Sequence, residues 1–282
     1  MERSDFLYAQ FTRHFKAEPT PCQERLFHEV ASFVTCDDSD ILVVNGYAGT
    51  GKTTAMAAVV ASLKDIGTPS VLLAPTGRSA KVFAGISGRP AYTIHKHIYR
   101  QKSVGTDGYG QFSLAPNKAK STLFVVDEVS LIGTDAAVSQ KEGQSSALFG
   151  TGNLLEDLVT FVRNGDDCRL ILVGDAAQLP PVGLDASPAL SKEYMDGFGG
   201  VRYSLLTSVV RQASESGILR NATMLREIIS RSGNDELFDS IGLDLDGVDD
   251  VERIGGQELI ETLGNAYSKY GEDETIVLCR SN

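Results

Sequence analysis

The chain has 282 residues, of which 42% are hydrophobic and 22% charged, and its formal net charge is −11 at pH 7. That length accommodates two ordinary domains or one large one, with a globular balance of residue types. The acidic total argues against an extensive nucleic-acid surface, and no apolar run reaches the ~20 residues needed to span a bilayer. The acid is uneven, however. Residues 233–250 are rich in Asp and Glu and lack Lys and Arg, whereas residues 76–102 carry Arg78, Lys81, Arg89, Lys96, Arg100 and Lys102 and no acid. A local basic track is therefore compatible with the net charge.

The N-terminal "MERSDFLYAQFTRHF" alternates in charge without a long apolar stretch, so it is no secretory signal. Cys22, Cys36, Cys168 and Cys279 are scattered, with no CxxC pair. They read as free thiols of a cytoplasmic protein, and a metal site is not expected from them. Residues 21–34 place Leu26, Phe27, Val30, Phe33 and Val34 at helical spacing.

Four short apolar runs follow: "ILVV" (41–44), "VLLA" (71–74), "LFVV" (123–126) and "LILV" (170–173). Such runs suit parallel strands covered on both faces. Helices are expected at 52–66, containing the longest apolar run "AMAAVVASL" (55–63), at 77–86 and at 151–163. The alternation predicts an α/β fold with a doubly wound parallel sheet, in which ligands bind beyond the C-terminal strand ends.

Two segments interrupt the alternation. Residues 101–118, rich in Gly and polar residues, predict a small projecting hairpin, and 139–152 a mobile loop. A second unit is expected from about residue 201 to 282. In it, 202–212 reads as strand and connection, 218–230 and 257–271 as helices, and 274–282 as a final strand. A strand there would be an unusual place for a domain to stop, which suggests a fragment of a longer protein.

Three motifs fall at strand ends. "GYAGTGKTT" (46–54) fits G-x-x-x-x-G-K-[ST] after a strand and before a helix. Gly46, Gly49 and Gly51 allow the backbone N–H groups to face phosphate, with Thr50 and Thr54 beside them. Lys52 would reach the β- and γ-phosphates, and Thr53 would offer its hydroxyl to Mg²⁺. "LFVVDE" puts Asp127 where it can hold the Mg²⁺ shell and Glu128 where it can polarise a water, which favours hydrolysis. "LILVGDAAQLPPV" (170–182) supplies a turn at Gly174, Asp175 near the metal side, Gln178 within reach of phosphate or water, and the stiff pair Pro180-Pro181.

The ordered set "GYAGTGKTT", "APTGRSAKVF", "TIHKHIY", "VVDEVS", "VGDAAQLPPV" and "VVRQ" resembles a superfamily 1B DNA helicase, RecD-like or Dda-like, strongly over 18–212 and weakly beyond. The resemblance implies a P-loop NTPase fold with a RecA-like motor domain 1A over 1–200. A small 1B-like hairpin would lie at about 101–118, and a second RecA-like domain, 2A, would begin at 201. It implies ATP and Mg²⁺ as cofactors and single-stranded DNA as partner. It also implies a monomer, with nuclease or recombination proteins as further partners and roles in DNA repair or recombination.

By the same resemblance, Gln23 reads adenine and Arg211 reaches the γ-phosphate from the second domain. Pro75, Thr76, Arg78, Lys81, Thr93, His95 and Lys96 bind DNA, with Tyr92, His97 and Tyr99 offering stacking faces and Tyr109 or Phe112 a duplex-splitting tip. Further motifs of the second domain have no counterpart before Asn282, so residues 1–282 alone are expected to hydrolyse ATP slowly. Two other readings stand beside it: a P-loop ATPase that does not unwind, and an RNA-directed superfamily 1 enzyme. The N-K-x-D pattern of a guanine-specific GTPase is absent.

Overall fold

The structure, a computed structural model, describes residues 3–104, 110–134, 148–208, 216–231 and 242–279. The chain divides into two compact units, Met1–Ala213 and Ser214–Asn282.

In the first unit the elements run α1 (Arg3–His14), α2 (Pro21–Thr35), β1 (Ile41–Gly46), α3 (Lys52–Asp65), β2 (Ser70–Ala74), α4 (Gly77–Ser87), β3 (Ala91–Thr93) and α5 (Ile94–Ile98). They continue with β4 (Tyr99–Val104), β5 (Gly110–Leu114), β6 (Leu123–Val126), β7 (Leu148–Phe149), α6 (Leu154–Arg163), β8 (Arg169–Gly174), α7 (Lys192–Asp196) and β9 (Val201–Leu206).

The main sheet has the order β3-β2-β6-β8-β1-β9, and every pairing in it is parallel. Successive strand residues face opposite sides, and here both sides are apolar. Leu42, Val44, Leu72, Val125, Ile171 and Val173 pack with α1 to α4. Ile41, Val43, Leu73, Phe124, Val126, Leu170 and Leu172 pack with α5, α6 and the segment before β9. This two-sided burial is why the strands read as unbroken apolar runs.

Helix starts follow local chemistry. Thr20 caps α2 in a reciprocal box with Gln23, with Pro21 opening the helix. Thr76 and Ser79 form the same device at α4.

Three expectations are corrected. The strand at 201–206 does not open a new unit. It pairs with β1 from Ile41↔Val201 to Gly46↔Leu206, and the division falls after Ala213. The segment before α6 is not all loop, because Leu148–Phe149 adds a short strand to a second sheet of order β4-β5-β7. Residues 275–279 form no strand, and Ile276 and Leu278 are exposed. The expected hairpin is present as antiparallel β4 and β5, paired from Tyr99↔Leu114 to Val104↔Gly110.

In the second unit, α8 (Gly217–Arg231) and α9 (Leu259–Tyr270) are the helices. The acidic stretch is used locally there. Asp250 caps α8, accepting from the Ser216 hydroxyl and from the N–H groups of Gly217 and Ile218. Asp244 pairs with Arg220 at 3.0 Å.

Candidate nucleotide site and adjoining basic edge

The loop between β1 and α3 turns through Gly49 and Gly51, both at φ 73°, a left-handed conformation that a side chain would strain. Thr50 is buried and closes the loop by donating its hydroxyl to Tyr47 O at 2.7 Å. Lys52, the first residue of α3, curls back and donates from Nζ to Gly46 O (2.7 Å) and Tyr47 O (2.9 Å). A phosphate would replace these neutral acceptors with charged ones, which form stronger hydrogen bonds with ammonium. Thr54 is exposed on the first turn.

Strand β8 separates β1 from β6 in the sheet, yet the start of α3, which follows β1, meets the residue after β6. Thr53 donates from Oγ1 to Asp127 Oδ2 at 2.8 Å, and the Glu128 N–H donates to Asp127 Oδ1 at 3.0 Å. Asp127 is buried, and this burial raises its pKa, with the Thr53 hydroxyl opposing. Burial also raises the pKa of Glu128, helped by repulsion from Asp127 and opposed by Lys52. Glu128 holds a left-handed backbone, φ 58° and ψ 40°, uncommon outside glycine. Gln178 stands at this corner: it accepts from the Ser130 hydroxyl at 3.1 Å and lies near enough to Glu128 to oppose the rise in its pKa. Asp175 is buried at the end of β8 and accepts from Ala177 N–H.

Gln23 lies on the other side of the loop and is only 1% exposed. Its Oε1 accepts from Thr20 N–H and its Nε2 donates to Thr50 O, both at 2.8 Å. Both ends of its amide are therefore committed to the cap of α2 and to the phosphate loop. Arg211 and Tyr109 lie outside the described residues.

The register Ala74↔Thr93 brings the ends of β2 and β3 together. Two stretches separated in sequence, Pro75–Lys81 and Thr93–Lys96, thus share one edge at the C-terminal end of the sheet. Thr76, Arg78, Lys81 and Lys96 are exposed there, and Pro75 and Thr93 are half-buried. Thr93 caps α5 by accepting from Lys96 N–H.

The aromatic residues divide. Tyr92 is exposed, but His95 packs edge-on against Phe149 at 5.1 Å. Burial holds the pKa of His95 down. Tyr99 is buried and offers no stacking face, because its hydroxyl donates to Asp157 Oδ2 at 2.6 Å. Phe112 is not at the hairpin tip but stacks on Phe149 with centroids 4.4 Å apart.

Sequence reasoning missed the role of Asp157. This buried carboxylate of α6 takes the Tyr99 hydroxyl together with Thr151 N–H and Oγ1, each of the latter at 3.0 Å. It thereby ties the end of α5 and the second sheet to α6 and the core beneath it. A Cβ on Gly150, at φ 50°, would fall on Asp157 Oδ2. The signal was a lone Asp amid the apolar positions of α6, a place where an acid needs partners.

The family model of an AAA domain matches residues 23–140. The chain is 32% identical over 190 residues to the ATP-dependent RecD2 DNA helicase of Deinococcus radiodurans, covering 64% of this chain and 21% of that protein. It is 36% identical over 93 residues to the ATP-dependent DNA helicase dda of Enterobacteria phage T4, covering 32% of this chain and 21% of that one. The chain thus spans about a fifth of the length of these relatives. Among solved structures, the Pif1 helicase of Candida albicans superposes with a TM-score of 0.46 at 19% identity, covering 78% of this chain and 46% of that chain. The resemblance to RecD-like and Dda-like superfamily 1B helicases is borne out over the matched region.

Proposed function

We propose that this chain is the ATP-hydrolysing motor region of a superfamily 1B DNA helicase or translocase, which couples hydrolysis to 5′-to-3′ movement on single-stranded DNA in DNA repair or recombination. The observation that carries the reading is the 2.8 Å meeting of Thr53 and Asp127 with Glu128 alongside. In this reading the unit Met1–Ala213 is domain 1A with a 1B-like hairpin, and Ser214–Asn282 contributes to domain 2A.

Each residue has a task. Lys52 exchanges its loop carbonyls for the β- and γ-phosphates of ATP. The hydroxyl and carboxylate of Thr53 and Asp127 are hard oxygen donors, the type that Mg²⁺ takes alongside substrate phosphates. Bound there, Mg²⁺ would neutralise phosphate charge. Glu128 accepts a proton from the attacking water, and its raised pKa brings it closer to the working pH of a general base. Gln178, held by Ser130 beside Glu128, orients the same water. Arg211, which lies outside the described residues, would add charge stabilisation at the γ-phosphate. Gln23 supports the adenine side through its grip on Thr50 O. Pro75, Thr76, Arg78, Lys81, Thr93, His95 and Lys96 line the path of the strand.

The test is ATP turnover by the protein with and without single-stranded DNA or RNA. Stimulation by DNA that Lys52→Ala abolishes is the expected result. Turnover indifferent to DNA, or stimulated by RNA alone, would overturn the reading.

A further inference from the structure

Tyr92 occupies an unusual position for a large aromatic. It sits on the edge strand β3 and is 42% exposed. Its hydroxyl has no hydrogen-bond partner among the described residues. The hydroxyls of Tyr99, Tyr194 and Tyr203, by contrast, all bond to carboxylates. The Tyr92 hydroxyl therefore adds no bond to the fold, and the ring leaves an aromatic face open to solvent.

The ring is nevertheless held in place. Its register with Leu73 puts it on the α5 side of the sheet. There His97 lies near-parallel to it, with centroids 6.1 Å apart and planes 27° from parallel. His97 in turn packs edge-on against Phe161 (5.7 Å) and Phe124 (6.0 Å), which pack against each other at 5.9 Å. A ladder of rings thus runs from the core to the surface and ends at Tyr92. Burial, with Arg100 nearby, depresses the pKa of His97, so it acts as a neutral ring at pH 7. Lys96 Nζ stands 5.9 Å from the Tyr92 centroid, within cation–π range. The flanking stretch 76–102 is basic and free of acid, which suits a polyanion rather than an acid-poor protein surface.

A propped, exposed ring beside a lysine is how proteins hold an unpaired base together with its phosphate. We infer that Tyr92 is a base-stacking platform for single-stranded DNA, with Lys96 engaging the adjoining phosphate. The inference rests on the helicase reading and adds to it. Of the three stacking faces expected from sequence, Tyr99 is buried and His97 is half-buried behind Tyr92, which leaves Tyr92 as the one open to a base. Stacking tolerates every base, so the contact would not impose a sequence.

The experiment measures binding of the 282-residue chain to fluorescent oligo(dT) and to an abasic strand of equal length, for the wild type, Tyr92→Ala, Tyr92→Phe and Lys96→Ala. Tyr92→Ala is expected to weaken oligo(dT) binding by about 5-fold or more, the lower range for one base–aromatic contact. It should leave abasic binding unchanged, while Tyr92→Phe retains wild-type affinity. Lys96→Ala should weaken both strands alike and flatten the salt dependence. If Tyr92→Ala binds oligo(dT) as the wild type does, or weakens both strands equally, the platform is refuted and the helicase reading stands. Failure of every variant and the wild type to bind either strand would sink the helicase reading, and the platform with it.

Discussion

Tyr99→Phe removes a single hydroxyl, yet that hydroxyl joins three parts of the molecule. Tyr99 ends α5, begins β4, and donates to Asp157 on α6 at 2.6 Å. A hydrogen bond to a charged partner is worth about 1.5–3 kcal/mol net. Asp157 keeps both Thr151 donors, and no appreciable cavity forms, so the expected loss lies near the lower end, about 1.5–2 kcal/mol. Asp157→Ala should cost about 2–4 kcal/mol, because it strands the buried Tyr99 hydroxyl and also loses both bonds to the exposed Thr151. The chain has no Trp, so urea unfolding is best followed by far-UV circular dichroism. In the double-mutant cycle, the two changes together should cost about 1–2 kcal/mol less than their sum, since they remove the same bond. Because α5 carries His95 and Lys96 and is capped by Thr93, Tyr99→Phe should also weaken binding to single-stranded DNA. A Tyr99→Phe protein within about 0.5 kcal/mol of wild type, or an additive cycle, would refute the view that this bond fixes α5 to the core.

Glu128→Gln should leave ATP binding intact and slow turnover by about 10²- to 10⁴-fold, the range for losing a general base. Fluorescent-nucleotide binding measured beside turnover would expose any loss of affinity instead. Gln23→Ala should destabilise the nucleotide-free protein by about 1–3 kcal/mol, since it strands Thr20 N–H and Thr50 O. A glutamine that served adenine alone would show no such cost in urea unfolding without nucleotide. Burial lowers the pKa of His97 in the folded state, so the unfolded chain protonates first, near pH 6.5. Stability from this residue is therefore complete above about pH 6.5 and is lost as pH falls towards the lower folded value. His97→Gln should reduce the drop in urea midpoint between about pH 7.5 and pH 5.5. Equal drops in both proteins would show that His97 is not the source.

The parallel sheet was legible because each strand buries both faces, which leaves runs such as 170–173 with no polar interruption. The strand-end chemistry was legible because Lys52, Thr53, Asp127 and Glu128 stand at fixed offsets from those runs. What escaped the sequence depends on partners distant along the chain. Strand β9 looked like the start of a new unit because nothing local shows its parallel pairing with β1. The amide of Gln23 looked available, but its partner Thr50 lies on another element. Helix α1 was missed although Leu7, Phe11 and Phe15 recur every four residues. Its other positions are charged or polar, and only burial against α2 and α3 singles out that stripe. The acid of 233–250 reads in the sequence only as part of the charge balance, whereas Asp244 and Asp250 serve α8.

The strand order gives the loop after β8 a mechanical place in the proposed cycle. Because β8 runs between β1 and β6, its loop can touch the ends of both. Ala176 N–H donates to Asn45 Oδ1 at the end of β1, and Gln178 bonds Ser130 next to Glu128 beyond β6. Beyond Gln178 the same loop presents Leu179 and Val182 to solvent at 81% and 85% exposure. In the proposed cycle, a change at the γ-phosphate that shifts the Glu128–Ser130 turn reaches Gln178 through Ser130, and the stiff Pro180-Pro181 pair limits how much of that shift the loop can absorb. Replacing Pro180 and Pro181 together with Gly should leave the Gln178 contacts in place while loosening the segment beyond them. DNA stimulation of turnover should then fall while turnover without DNA is kept. If stimulation survives the double substitution, the strand-end loop is not the route by which hydrolysis and the DNA edge communicate.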